Sequence, residues 1–185
     1  MTCASTSNIR LDFRASYVPV TAPIKFGVGR CIDGGLLVAR SQAGICAIFL
    51  GDDAAELRDE LSEAFPSRPL EEATDELQRD LGYVAAFIDK RSADGVFSLD
   101  VGGTPFQQRV WEALCGIPAG ETRTYAEVAE CIGAPEAVRA VASACAANLL
   151  AVAIPCHRVV RSDGAPSGYR WGAERKRSLL ERECA

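Results

Sequence analysis

Cys156 and His157 are the residues of this chain best suited to chemistry. His157 is the only histidine in 185 residues, and it follows one of eight cysteines directly. A free thiol, with a pKa of about 8.5, is only slightly ionised at neutral pH. A nearby imidazole can serve as the base that activates it. The pair reads either as an activated nucleophile or as a buried cysteine beside a core histidine. Ala151, Val152, Ala153 and Ile154 precede it and Val159 and Val160 follow it, which predicts a buried strand through this segment. Adjacent strand residues point to opposite faces. A functional pair therefore needs a sharp turn at Pro155 or a bridging water. A third group should orient the imidazole, and Glu174, Glu181 and Glu183 are the candidates. Asn148 is placed to fix the turn ahead of the strand.

The elements that must position these residues fall into two parts. Residues 1–20 read as an N-terminal arm that ends in a short strand, and 21–103 as a small α/β domain. Within it, "GGLLVARSQAGICAIFLGDD" is a hairpin around "SQAG". "DAAELRDELSEAF" is a helix with Leu57, Leu61 and Phe65 on one side, "PSRPLEEA" is linker-like, and Asp75 to Lys90 is a second helix. "VFSLDV" is a further strand, and Gly102-Gly103 breaks the chain. Residues 104–185 then form a mainly α domain. "TPFQQRVWEALCGI" has a Thr N-cap and Pro at the first helical position, with Phe106, Val110 and Leu114 as its buried stripe. "TYAEVAECIG" opens on the capping box Thr124/Glu127 and closes at Gly133. With "APEAVRAVASACAANL" it makes a helix-turn-helix pattern. A last helix, "AERKRSLLERE", ends the domain.

Composition bounds the function. Net charge is −5, yet 10 of the 20 basic residues and only 9 of the 25 acidic ones lie in 104–185. The C-terminal part is the one suited to an anionic partner. No apolar run is long enough to span a membrane, and "MTCASTSNIR" is no secretory signal. The chain is expected in the cytoplasm with reduced thiols. Without a CxxC pair, and with a single histidine, it offers no ordinary zinc ligand set. "VRAVASACAAN" carries one charge, Arg139, among small residues. It cannot read base edges in the major groove as polar recognition helices do. It is either a buried helix or one that enters the minor groove and sends Arg139 into the duplex.

"IPCHRVV", preceded by "RAVASACAANLLA" and followed by "SDGAPSGYRWG", strongly resembles the O6-alkylguanine-DNA alkyltransferases, the methylated-DNA–protein-cysteine methyltransferases, and their Ada-like bacterial branch most. The likeness is specific over about 104–183 and looser over about 20–103. It implies irreversible, single-turnover transfer of an alkyl group from O6-alkylguanine, and from O4-alkylthymine as a second substrate, in double-stranded DNA. Carried over by position, Cys156 is the acceptor and His157 the base, acting through a water. Glu183, in the family's L-L-x-x-E pattern, orients His157, and Asn148 braces the site. Tyr125 hydrogen-bonds the flipped base. Arg139 fills the space the base leaves, on a DNA-facing helix with Ala140 and Ser143. Tyr169, Lys176, Val159 and Ser167 belong to the substrate pocket. Arg158, Arg161, Arg170, Arg175 and Arg177 join Arg139 in a basic face. The resemblance implies no cofactor or metal and a monomer.

The resemblance stops short of two family features. Residues 1–20 hold one cysteine and no cluster, so phosphotriester repair and transcriptional activation are not implied. Cys3, Cys31 and Cys46, without a histidine, do not make the structural zinc site of some relatives. Two other functions compete with alkyl transfer. A recognition-only relative would lack the acceptor cysteine. A Cys-His hydrolase or thiol transferase on a small molecule would leave Arg139 unexplained.

Overall fold

The computed structural model describes residues 9–14, 22–89, 97–163 and 168–184. They form two compact units, and the division falls between Gly102 and Gly103.

The first unit is built on a hairpin. β3 (Gly34–Arg40) and β4 (Ile45–Gly51) are antiparallel and almost wholly buried, and β2 (Ile24–Cys31) extends the meander on the other side of β3. β1 (Ile9–Phe13), inside the stretch expected as an arm, pairs in parallel with β6 (Phe97–Val101). β5 (Leu70–Glu72) pairs in parallel with β2, so the stretch read as a linker carries a short edge strand. The sheet order is β1-β6-β4-β3-β2-β5. Asp53 caps α1 (Ala54–Ala64), which buries Leu57 and Leu61 against β3 and β4. α2 (Gln78–Ile88) buries Leu81, Val84 and Ile88 against β2 and β3. It is shorter than the helix expected, because Thr74 and Leu77 form a turn ahead of it; Lys90 lies outside the described residues. Gly27 and Gly29 of β2 sit under Leu81, where added Cβ atoms would come within 3.1 and 3.3 Å of its side chain. The strand carries glycine there so that the helix can approach closely.

The second unit is mainly helical. Thr104 and Gln107 form a capping box, with Pro105 at N1, and open α3 (Pro105–Cys115). Val110, Trp111 and Leu114 are its buried residues, and Phe106 stays partly exposed. The Thr124/Glu127 box opens α4 (Tyr125–Cys131). Gly133, at φ 69°, turns the chain. One 3-10 turn (Pro135–Ala137) then leads into α5 (Val138–Ala146). Trp111 Nε1 donates to the Ala144 carbonyl at 2.9 Å and pins the last turn of α5 to α3. β7 (Arg123–Thr124) and β8 (Val159–Val160) form a two-residue parallel pair, and α6 (Ala173–Cys184) follows. The strand expected through 150–160 exists only as β8. Residues 151–153 are in turns, and Cys156–Arg158 is a 3-10 turn. No helix among the described residues is long and apolar enough to cross a membrane.

Candidate active site

The turns before β8 are organised by one side chain. Asn148, 1% exposed, accepts from the Leu150 N–H at 2.9 Å through Oδ1. Its Nδ2 donates to the carbonyl of Ile154 at 3.0 Å, to that of Leu150 at 3.4 Å and to Cys156 Sγ at 3.1 Å. A buried amide that satisfies backbone groups in this way competes with regular structure, which is why an apolar run folds as turns. Val152 takes φ 63°, a left-handed conformation unusual for a β-branched residue. Pro155 then leads into the 3-10 turn that presents Cys156.

Cys156 is 5% exposed and faces a cavity of about 600 Å³. Tyr125, Ala142 and Cys145 form part of its wall, and Arg161, Tyr169 and Arg170 another part. Burial pushes the Cys156 thiol up to about 11, although the Asn148 hydrogen bond and the charge of Lys176 oppose this. His157 is fully buried, and its Nε2 meets Glu183 Oε1 at 3.0 Å. Its other nitrogen, Nδ1, is buried without a hydrogen-bond partner among the described residues. Burial lowers the pKa of His157, and Glu183 only partly offsets this. For Glu183 burial is the largest influence and acts upward. It is overcome by hydrogen bonds from His157 and Arg158, which hold the carboxyl at about 2. The ring of Tyr169 stands edge-on to that of His157, with centroids 6.3 Å apart.

Several residues expected at the site hold other places. Arg158 is no part of an exposed basic face. Its guanidinium grips Glu183 from Nε at 2.9 Å and Nη2 at 2.8 Å, and Nη1 donates to the Ile117 carbonyl at 2.6 Å. The residue next to the histidine in the sequence thus shares the histidine's carboxylate, because the 3-10 turn directs both toward α6. Arg177 pairs with Glu174, Arg161 with Asp163, and Arg175 donates to the Trp171 carbonyl. Lys176 and Val159 lie behind the cavity wall. Both are fully buried, and Lys176 Nζ donates to the Val159 carbonyl at 2.5 Å. Burial lowers the pKa of Lys176, and Cys156 and Cys145 oppose the shift. Ser167 lies outside the described residues. Tyr125 opens α4 at the cavity, half-buried. Arg139, Ala140 and Ser143 are exposed along α5, and the Arg139 guanidinium makes no ion pair or side-chain hydrogen bond there among the described residues. Cys145, a cavity residue, was hidden in the sequence among the small residues of α5. No group of three or more His, Cys, Asp or Glu among the described residues could hold a metal ion.

The family model for the 6-O-methylguanine DNA methyltransferase DNA-binding domain matches residues 105–185. The chain is 52% identical over 161 residues to the bifunctional transcriptional activator/DNA repair enzyme Ada of Escherichia coli, a match covering 87% of this chain and 46% of that protein. It thus spans about half the length of that relative. It is 34% identical over 154 residues to the inducible methylated-DNA–protein-cysteine methyltransferase of Bacillus subtilis, covering 82% and 85% of the two chains. The crystal structure of Mycobacterium tuberculosis OGT in complex with DNA superposes with a TM-score of 0.71 at 32% identity, covering 86% of this chain and 92% of that one. The chain belongs to the methylated-DNA–protein-cysteine methyltransferase family.

Proposed function

We propose that this chain repairs DNA by moving an alkyl group from O6-alkylguanine to Cys156, once per molecule. The observation that carries this reading is a buried thiol, hydrogen-bonded by Asn148, at the wall of a cavity with room for a nucleobase and next to a histidine paired with a carboxylate. Glu183 fixes His157 with its Nε2 proton directed at the carboxylate, which leaves Nδ1 as the basic nitrogen. The depressed pKa of His157 keeps the ring neutral at pH 7, so Nδ1 is ready to receive the Cys156 proton through a bridging water. The thiolate lone pair then forms an S–C bond in line with the breaking C–O bond, and the electron pair leaves with the guanine. Tyr125, at the cavity wall, donates a hydrogen bond to the base as that charge develops. Lys176 supports the thiolate from behind the wall. The product thioether has no route back to thiol, so the protein is consumed.

A base inside a duplex is reached only by flipping it out, at a cost of a few kcal/mol. In this reading α4 and α5 act as a helix-turn-helix that meets DNA through the small exposed residues of α5. Arg139 enters the vacated stack, and Ala140 and Ser143 allow the close approach. Tyr169, at the cavity wall, borders the alkyl group.

The test is the intact mass of the protein after incubation with duplex DNA holding one O6-methylguanine. One added methyl group in the native chain, absent from Cys156→Ser, is the expected result. An unchanged mass in a folded protein that binds the DNA would overturn the proposal.

A further inference from the structure

The cavity holds a second thiol that alkyl transfer does not use. Cys145 ends the buried face of α5, 8% exposed, and lines the same cavity as Cys156. Asn148 tethers both residues. Its backbone N–H donates to the Cys145 carbonyl at 3.3 Å, while its side chain donates to Cys156 Sγ. The thiols are near enough that charge on Cys156 disfavours ionisation of Cys145, and both act on the buried ammonium of Lys176. The other described cysteines lie elsewhere: Cys46 is buried in the sheet unit, Cys31 and Cys115 are half-buried at the ends of β2 and α3, and Cys131 and Cys184 are exposed at helix ends.

We propose that Cys145 and Cys156 together form a two-thiol site for a trivalent arsenical, which bridges both sulfurs inside the cavity. Soft sulfur ligands select soft centres, and this site offers two sulfurs and, among the described residues, no third protein ligand of the kind a tetrahedral metal needs. Its reactivity points the same way. Burial holds Cys145 at about 12 and Cys156 at about 11, so both rest as thiols. Oxidants and disulfide exchange act on thiolate. An arsenoxide instead condenses with protonated thiols. Two S–H bonds and one As=O bond are replaced by two As–S bonds, the oxygen leaves as one water, and arsenic stays trivalent. The cavity leaves room for an organic substituent on the arsenic. Occupancy would take Cys156 out of alkyl transfer. That consequence rests on the proposed function, whereas binding itself does not.

The experiment treats the reduced full chain with one equivalent of phenylarsine oxide and reads the intact mass. One phenylarsenic adduct, formed with loss of water, should survive excess 2-mercaptoethanol and be removed by 2,3-dimercaptopropanol. It should be lost in Cys145→Ser and in Cys156→Ser and retained in a Cys131→Ser/Cys184→Ser variant. Cys145→Ala, with its fold checked by circular dichroism, repeats the test without a buried hydroxyl. Absence of the adduct from the folded native chain, or its persistence in either Cys145 variant, overturns the site. Methyl uptake from O6-methylguanine DNA is followed in parallel. If untreated protein takes up no methyl while the adduct forms, the transfer reading fails and the arsenical site stands.

Discussion

The two units each hold a buried cysteine and a carboxylate paired with a half-buried arginine, yet of the two cysteines only Cys156 lines the cavity. In the sheet unit, Asp100 is 2% exposed and accepts Arg14 Nε at 2.8 Å and Ser41 Oγ at 2.5 Å. Cys46 is pushed up to about 12 by burial and by the charge of Asp100, and its thiol donates to the Ala39 carbonyl at 3.5 Å within the sheet. In the helical unit, Glu183 is held by Arg158 and His157, and Cys156 accepts a hydrogen bond at the wall of a cavity. Burial and charge pairing are common to both. The difference lies in the role of the sulfur, donor in one and acceptor in the other, and in the cavity that Cys156 lines. A perturbed thiol marks a functional site only when it also has an approach and a base.

The comparison is sharpened most by exchanging the thiols. Cys156→Ser should abolish methyl uptake from O6-methylguanine DNA, and Cys46→Ser should leave its stoichiometry intact, both read by intact mass. If Cys46→Ser loses uptake while staying folded, the contrast between the units is wrong. Next in size is the base. His157→Gln should slow transfer by about 10²–10⁴-fold, the usual contribution of a general base, measured as a second-order rate with excess DNA. Asp100→Asn should leave that rate near the native value and lower the urea midpoint instead.

A smaller contrast separates the side chains that brace each site. Asn148→Ala strips partners from buried backbone groups and should cost about 3 kcal/mol in urea unfolding, within the range for several lost buried hydrogen bonds. Ser41→Ala removes one hydroxyl and should cost about 1 kcal/mol. Titration supplies a fourth test. Glu183 has a folded pKa of about 2 against an ordinary 4.5, so its contribution is complete above the ordinary value and is lost as pH falls through about 2. It amounts to up to about 3 kcal/mol. The lowered pKa of His157 acts in the same sense. Glu183→Gln should therefore flatten the acid limb of a Tm-against-pH curve. The smallest effect is expected from Arg158→Met. Removing a cation that lowers the His157 pKa should move the acid limb of the transfer rate to higher pH, whereas a purely structural arginine would change the rate alone.

Local chemistry made much of this legible in the sequence. The N-cap at Thr104, the capping box at Thr124 and the turn at Gly133 are set by near neighbours in the chain, and the helices start and stop where those signals stand. His157 and Asn148 stood out by their places beside and ahead of Cys156, the family resemblance singled out Glu183 among three glutamates, and the structure brings Glu183 within hydrogen-bond reach of His157. Tertiary effects were less legible. β2 was obscured by Gly27 and Gly29, whose purpose is visible only once Leu81 lies over them. The buried turns at 151–153 share the apolar composition of a strand, so periodicity could not separate the two. Arg158 read as a surface cation because its partners, Ile117 and Glu183, are 41 and 25 residues away.

Val152 carries one more consequence. Holding a β-branched residue at φ 63° costs on the order of 1–3 kcal/mol, and the Asn148 hydrogen bonds on either side keep that load in place. This buried segment is thus also spring-loaded, and the catch is the amide that grips the Cys156 sulfur. Adding a carbon to that sulfur disturbs the catch. Under the proposed transfer, an alkylated molecule should release first at Ala153, Ile154 and Cys156, so faster hydrogen exchange at those amides would act as a built-in mark separating used protein from fresh.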